Sequence, residues 1–335
     1  MIASDTRAEW ARTLQHNAHA QRCGWRKPVS GNVVLLIPAY NAADTIECTL
    51  RSIQAQGDAL CGLTAVCLAD NCSQDDTVAI AQAAWSGPIP LWVLRSDRNV
   101  GQHNNVNRAF GALRAHAEWL LLLHADDEAK PDWLGTMLRE IDSSSPEVAS
   151  ICCSWDSWFP NGHVLPGEDD PDRPTQVIVG GPESVRGTLL KGCWWLITGC
   201  AIRVATFEDV GTFDQELMQV GDWDWLLRCL SRGWSIKYVP RTLIRYRQHP
   251  QSISTASLQM DRDVAESLRV VRSYTSVLSR RDLLRFHTKR ATYLTRRMLH
   301  AAMRLRVRRL LAAARMFARS GQSLLRCLAV AGRPA

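Results

Sequence analysis

The chain has 335 residues, enough for one large α/β domain or two ordinary ones. Its 46% hydrophobic and 22% charged residues exclude wholesale disorder, and no apolar run reaches the ~18–20 residues that cross a bilayer. The net charge of +7 is unevenly placed: from Arg280 to Ala335 fourteen arginines and one lysine face a single acid, Asp282, a balance of +14 that leaves −7 on the rest.

Residues 1–30 are polar with scattered Trp10, His16, His19 and Trp25, and read as an extension. Met1–Trp10 carries Asp5 and Glu9 and no apolar core, so no secretory signal is expected and the protein is placed in the cytoplasm. The eleven cysteines include no C-x-x-C, which predicts reduced, mostly buried thiols.

From Asn32 a pattern sets in. Val33–Ile37 is a short apolar run stopped by Pro38, and Asp44 can cap a helix to Gln56 with Ile46, Leu50 and Ile53 on one face. Leu63–Leu68 reads as a second strand ending at Asp70, and Asp75 and Asp76 open a helix to Trp85. Leu91–Leu94 is a third strand, Gly101–Ala117 a helix and Trp119–Leu123 a fourth strand. Pro131 starts a helix to Ile141, and Val148–Trp155 is a fifth strand. Strands that alternate with helices need crossover connections, hence a parallel sheet covered on both faces. Ligands bind such sheets beyond the carboxyl ends of the strands. That rule selects Pro38–Asn41, Asp70–Ser73, Asp97–Gly101 and His124–Glu128. Acids gathered at one rim repel unless positive charge sits there.

Phe159–Gly181, rich in Pro, Gly and Asp, reads as a long loop that a ligand would order. Gly221–Gly233 is helical, and Trp234–Tyr246 is strand and turn. From Arg285 to Leu328 the spacing is helical, with Leu294, Met298, Ala301, Leu305, Leu310, Ala313 and Phe317 on an apolar stripe among arginines. Such a segment lies as a helix on an anionic membrane surface, or forms a helical hairpin whose apolar face packs on the acidic body or on a second copy; no nucleic-acid partner is expected, because no aromatic binding module accompanies the arginines.

Five ordered segments carry a resemblance. They are VVLLIPAYNAADTIECTLRSI, CLADNCSQDDT, RNVGQHNNVNRAFGAL, WLLLLHADDEAKPDWL and GTFDQELMQVGDWDWLLRCLSRGWSIKYVP with YRQHPQSIS. Over Val33–Ser254 the chain resembles the family 2 glycosyltransferases. The resemblance implies the GT-A fold: an α/β, Rossmann-like, mostly parallel sheet with flanking helices, here with a basic helical C-terminal extension. It implies a catalytic domain at 31–260, with a nucleotide-binding half at 31–130 and an acceptor half at 131–260, between the extensions 1–30 and 261–335.

What the resemblance implies for single residues is specific. Pro38, Tyr40, Asn41, Asp70, Gly101, Asn107, His124 and Asp126 match positions that bind the nucleotide sugar. Ser73, Asp75 and Thr77 match residues that tie a turn. Asp126, Asp127 and His249 match positions around a divalent metal, Mn²⁺ or Mg²⁺. Asp222 matches the general base that takes the acceptor hydroxyl's proton in an inverting transfer. On a helix Asp222 and Asp224 point apart, and Arg228 lies four residues beyond Asp224, so Asp224 is expected to pair with it. Trp223 and Trp225 offer a wall for a sugar ring or core. The implied partners are a nucleotide-diphosphate sugar donor and a carbohydrate or lipid-linked acceptor. His124, Val106 and Gly221 stand where the family has Asp, Arg and Glu. These departures leave a catalytically silent GT-A scaffold in a polysaccharide assembly complex as the alternative.

Overall fold

The structure, a computed structural model, describes residues 31–249 and 262–330. The expected N-terminal extension and the Ser252 and Ser254 end of the last motif lie outside the described residues.

In chain order the elements begin β1 (Val33–Ala39), α1 (Ile46–Gln54), β2 (Ala65–Asp70), α2 (Thr77–Ala84), β3 (Leu91–Arg95), α3 (Gln102–Leu113) and β4 (Trp119–Leu122). There follow β5 (Glu128–Ala129), α4 (Trp133–Asp142), β6 (Val148–Trp158), β7 (Val164–Leu165), β8 (Gln176–Ile178) and α5 (Pro182–Lys191). The chain continues through β9 (Ala201–Arg203), α6 (Val204–Val210), α7 (Gly221–Ser231) and β10 (Ser235–Arg247) to the helices α8 (Arg262–Ser273), α9 (Arg280–Met303) and α10 (Val307–Val330).

Residues up to Val177, with Leu196–Thr212 and Ser235–Arg247, form one compact unit around the sheet. Strands β3, β2, β1 and β4 lie side by side and parallel. The connections from β1 to β2, from β2 to β3 and from β3 to β4 each run through a helix, as the alternation predicts. Period-two alternation sends Val33, Leu35 and Ile37 of β1 into one core with Ile46, Leu50 and Ile53 of α1 and Trp119 and Leu121 of β4. The sheet continues through β9, antiparallel to both β4 and β6, and then β10, parallel to β6. β5 pairs antiparallel with β10.

Two expectations need correcting here. Pro38 does not stop β1; it is buried within the strand, opposite Ala69 of β2. The β1–β4 ladder ends at Leu36 opposite Leu122, so the N–H that proline lacks costs no bond on that side. The loop after Phe159 is tied by its own acids to β10: Asp169 Oδ1 accepts from Thr242 N–H at 3.1 Å, and Glu168 Oε2 accepts from the Tyr238 hydroxyl at 2.8 Å. These bonds tie the loop to the sheet.

Ile178–Trp195, Phe213–Trp234 and the chain from Gln248 form the second unit. Its core contains Trp195, Phe213 and Trp225, with ring centroids 5.2 Å apart for Trp195–Trp225 and 5.6 Å for Phe213–Trp225. Helices α9 and α10 pack on each other, and His287 Nδ1 lies 3.2 Å from Ser320 Oγ across the antiparallel pair. The helical stretch read from Arg285 to Leu328 is therefore broken into a hairpin at residues 304–306, where Leu305 takes φ 52°. Leu305, expected on the apolar stripe, is 87% exposed, because the turn carries it away from the packed face.

The hairpin starts at a capping box in which Ser279 Oγ accepts from Asp282 N–H and the Asp282 carboxylate accepts from Ser279 N–H. Arg186 of α5 closes a fork on the same carboxylate, at 2.7 and 2.9 Å. These bonds to Arg186 and Ser279 hold the Asp282 carboxyl well below the usual range. Asp282→Ala is expected to cost about 2–4 kcal/mol in urea unfolding at neutral pH, since it removes both cap and fork. The depressed carboxyl stabilises the fold when ionised, so the parent's advantage is present above the unfolded carboxyl pKa and fades as acid protonates Asp282.

Candidate active site

The carboxyl ends of β1, β2, β3 and β4 open on one edge of the sheet, and the expected nucleotide-binding segments follow them. After β1 the chain turns through Tyr40 and Asn41, the latter at φ 49°. The turn's amides are satisfied from the next crossover. Asn41 N–H donates to Ser73 Oγ at 2.9 Å, Ala42 N–H to Thr77 Oγ1 at 2.7 Å and Ala43 N–H to Asp75 Oδ2 at 3.0 Å. Asn41 Oδ1 accepts in return from Gln74 N–H at 2.8 Å. The two motifs thus fold into one double turn that presents Tyr40, 46% exposed, and Asn41 to solvent. Asp44, expected as a helix cap, is replaced at that position by Thr45, which makes no side-chain cap bond.

Asp70 is 0% exposed at the end of β2. Its oxygens accept from Ser73 N–H at 3.2 and 3.3 Å, and Arg95 Nε reaches Oδ2 at 3.3 Å. The residue expected to meet the base thus also ties the double turn. Gly101 begins α3 at φ 85°, a conformation that favours glycine, and its N–H donates to Asn99 Oδ1 at 2.9 Å. Asn107 is half-buried on α3. Its neighbour Asn105, which the motif reading passed over, donates to Ala69 O at the end of β2 at 2.6 Å. Val106 is buried, so an arginine at this site would have no room in the present packing.

The end of β4 supplies the densest chemistry. His124, Asp126 and Asp127 each bring one ligand atom to within 4.8 Å of the others. His124 N–H donates to Thr198 Oγ1 at 3.0 Å, and its Nε2 lies 3.1 Å from Gln102 Nε2. Burial lowers the imidazole pKa against the pull of Asp126, which keeps a nitrogen lone pair available. Asp127 is buried. Its Oδ1 accepts from Arg247 N–H at 2.8 Å, while Oδ2 has no hydrogen-bond partner and sits 3.7 Å from His124 Nδ1. Burial, then the charge of Asp126, pushes the Asp127 carboxyl well up, and the Arg247 N–H opposes them. A buried carboxylate oxygen left without a partner beside a second carboxylate and an imidazole is a donor set that fits a divalent cation.

Arg247, at the end of β10, also donates from Nε to Asp126 O at 3.0 Å and from Nη2 to Glu128 Oε1 at 2.9 Å. Arg245 pairs with Glu128 at 3.2 Å, and its guanidinium lies 4.7 Å from the Trp158 ring centroid. Part of the positive charge that an acidic rim needs is therefore the protein's own. Thr198 and Gln102 were not singled out in the sequence: Gln102 lies within the third segment, but only the sheet order brings either residue to His124.

Asp222 and His249 belong to the second unit. Asp222, in the first turn of α7, accepts from Trp223 N–H at 2.7 Å. Burial pushes its carboxyl up to about 6, against the pull of that N–H and of the Cys193 thiol. Asp224 pairs with Arg228 at 2.8 Å, as the spacing predicts. Trp223 and Trp225 are both buried, so core rather than a wall for sugar accounts for them. Trp195 is core, and the half-buried Trp194 beside it donates from Nε1 to Thr188 Oγ1 at 3.1 Å. His249 is half-buried two residues beyond the end of β10. Nine of the described cysteines carry free thiols; Cys61, against expectation, is disulfide-bonded.

Comparison with known proteins agrees with this geometry. Residues 34–177 match the family model described as Glycosyl transferase family 2. The succinoglycan biosynthesis protein ExoO of Rhizobium meliloti (strain 1021) is 34% identical over 119 residues, which cover 35% of this chain and 32% of that protein. The match thus spans about a third of that relative's length. The crystal structure of S. aureus TarS 1-349 in complex with UDP-GlcNAc superposes with a TM-score of 0.55 at 14% identity, over 87% of this chain and 92% of that one. The mannosyltransferase PcManGT from Pyrobaculum calidifontis, in complex with GDP-Man and Mn²⁺, gives 0.51 at 16% identity over 97% and 96% of the two chains. At these identities the structural likeness speaks for the fold. No described helix is long and apolar enough to cross a membrane. The 34–177 segment thus matches glycosyl transferase family 2, and the architecture is the GT-A fold.

Proposed function

We propose that the protein moves a sugar from a nucleotide-diphosphate sugar to a hydroxyl of a carbohydrate or lipid-linked acceptor, with inversion and a divalent metal. The observation that carries this reading is the buried, unpartnered Asp127 Oδ2 beside His124 and Asp126 at the carboxyl edge of the sheet. Tyr40, Asn41 and Gly101 are assigned to the nucleotide. Pro38, Asp70 and Asn107 are assigned to it as well, Asp70 also tying the turn through Ser73 N–H. Asp126, Asp127 and His124 would hold Mn²⁺ or Mg²⁺, an ion that would neutralise diphosphate charge as the sugar leaves. The nitrogen donor favours Mn²⁺, since Mg²⁺ prefers oxygen.

Asp222 is assigned as the base. Its carboxylate takes the proton of the attacking hydroxyl, and a carboxyl pushed up to about 6 holds that proton better than an ordinary aspartate. ExoO's role in succinoglycan biosynthesis supports a place in polysaccharide or glycoconjugate synthesis.

The test is a thermal-shift screen of UDP-, GDP- and dTDP-sugars with and without Mn²⁺. One nucleotide class with metal should raise Tm by about 4–8 °C at saturating ligand, and the same sugar without metal by much less. Equal, negligible shifts with every donor in the presence of Mn²⁺ would sink the proposal.

A further inference from the structure

The end of the α9–α10 hairpin combines two surfaces that differ in what they can bind. One is cationic. Tyr293, Arg296, Arg297, His300, Arg306, Arg308 and Arg309 line a cavity of about 600 Å³, and no carboxylate is among its lining residues. Arg297 reaches Asp263 at 4.0 Å; Arg296, Arg306, Arg308 and Arg309 make no ion pair with a described residue. The start of the 24-residue helix α10 adds its partial positive charge to the same end. The other surface is apolar. Met303, Leu305 and Val307 are 77%, 87% and 63% exposed, and Leu299 and Leu311 beside them are exposed too.

We propose that this hairpin end is a bilayer-docking element. Met303, Leu305 and Val307 enter the interfacial layer of an anionic membrane, while Arg296, Arg306, Arg308 and Arg309 bind the phosphates of its lipid headgroups. The pairing of surfaces decides the occupant. A soluble polyanion satisfies the arginines but leaves three large apolar side chains in water. A second copy of the chain covers the apolar side chains but brings like-charged ends together, which opposes contact. An anionic bilayer presents phosphate and hydrocarbon at the depths where the turn carries guanidinium and apolar groups. Guanidinium also matches phosphate in a fork geometry that an ammonium lacks. The inference stands apart from the catalytic reading, since no residue of the proposed active site takes part in it.

The test is flotation of the full-length protein with phosphatidylcholine vesicles and with phosphatidylcholine–phosphatidylglycerol vesicles, at low and high salt. The parent should float with the anionic vesicles and stay largely soluble with the neutral ones. The variant Arg306→Glu/Arg308→Glu/Arg309→Glu should lower the anionic partition coefficient by about 100-fold or more, at about fivefold per basic side chain. Leu305→Ser should lower it by about 10-fold, and that loss should persist when salt is raised. Circular dichroism melts confirm that the variants fold, as substitutions at exposed positions should allow. The proposal is overturned by equal flotation of parent and triple variant, or by binding of free glycerol phosphate or duplex DNA without vesicle binding. It is equally overturned by concentration-dependent dimerisation that Leu305→Ser abolishes while the parent never floats.

Discussion

Asp222→Asn is expected to fold, to bind donor as the parent does, and to lose sugar transfer by about 10²–10⁴-fold in kcat. The amide keeps the shape that accepts the Trp223 N–H at 2.7 Å but cannot take a proton. The pH dependence gives an independent readout. A base whose carboxyl is pushed up to about 6 is protonated below that pH, so parental kcat/KM should fall as pH drops through about 6. Cys193→Ala removes a group that pulls this carboxyl down, so it should move the acid limb to higher pH. Stability should change in the opposite sense to activity. The folded carboxyl holds its proton more tightly than the unfolded chain does, and ionisation above about pH 6 therefore costs stability. The asparagine variant escapes that cost, so it should exceed the parent by about 1–3 kcal/mol at pH 8, with the gap closing below pH ~4. Undiminished transfer by the folded variant would remove Asp222 from the mechanism.

Asp127→Asn is the second large effect. The amide oxygen can still accept from Arg247 N–H, so the loop after β4 should keep its place. What changes is Oδ2, the buried oxygen without a partner, which becomes an amide nitrogen unable to ligate a cation. The variant should lose the Tm increase that Mn²⁺ gives the parent, and isothermal titration should show Mn²⁺ affinity reduced by at least about 10-fold. Metal-supported kcat/KM should fall by about 10²–10³-fold. A variant that keeps the full Mn²⁺ shift would place the cation elsewhere, and Asp126 with Glu128 would then be the pair to substitute.

The two effects separate the parts of the proposed mechanism. Loss of turnover with donor binding intact isolates proton transfer, whereas loss of metal response isolates diphosphate neutralisation. A silent scaffold would respond to neither substitution, because it has no turnover to lose and no need of Mn²⁺.

Some of the site was legible because its residues are close in sequence. PAYN and DNCSQDDT each fold into one turn, and the residue types Ser73, Asp75 and Thr77 suffice to announce side chains that tie backbone. The Asp224–Arg228 pair follows from helical spacing alone. Other parts were not legible. Asp70 was expected to face the base, but its bonds to Ser73 N–H and to Arg95 of the neighbouring strand could not be read from the motif. His124, standing in place of an aspartate, was read as a ribose contact or a metal ligand, and the structure gathers it with Asp126 and Asp127. Thr198 lies 74 residues from His124 and Arg247 lies 120 residues from Asp127, so no local pattern could carry the information.

The same division runs through the whole chain. Sequence by itself determined the alternation of strands and helices, the parallel left side of the sheet, the one edge where the acids collect and the concentration of arginine after Arg280, because each depends on periodicity, turn chemistry or composition within a short window. Only the tertiary structure decided that β9 inserts antiparallel between β4 and β6, that Pro38 is tolerated inside a strand, that one oxygen of Asp127 is left unpartnered, and that the basic segment doubles back at Leu305. Those outcomes rest on which distant segments pack together, since burial and pairing, not local preference, fix the partner of each polar group.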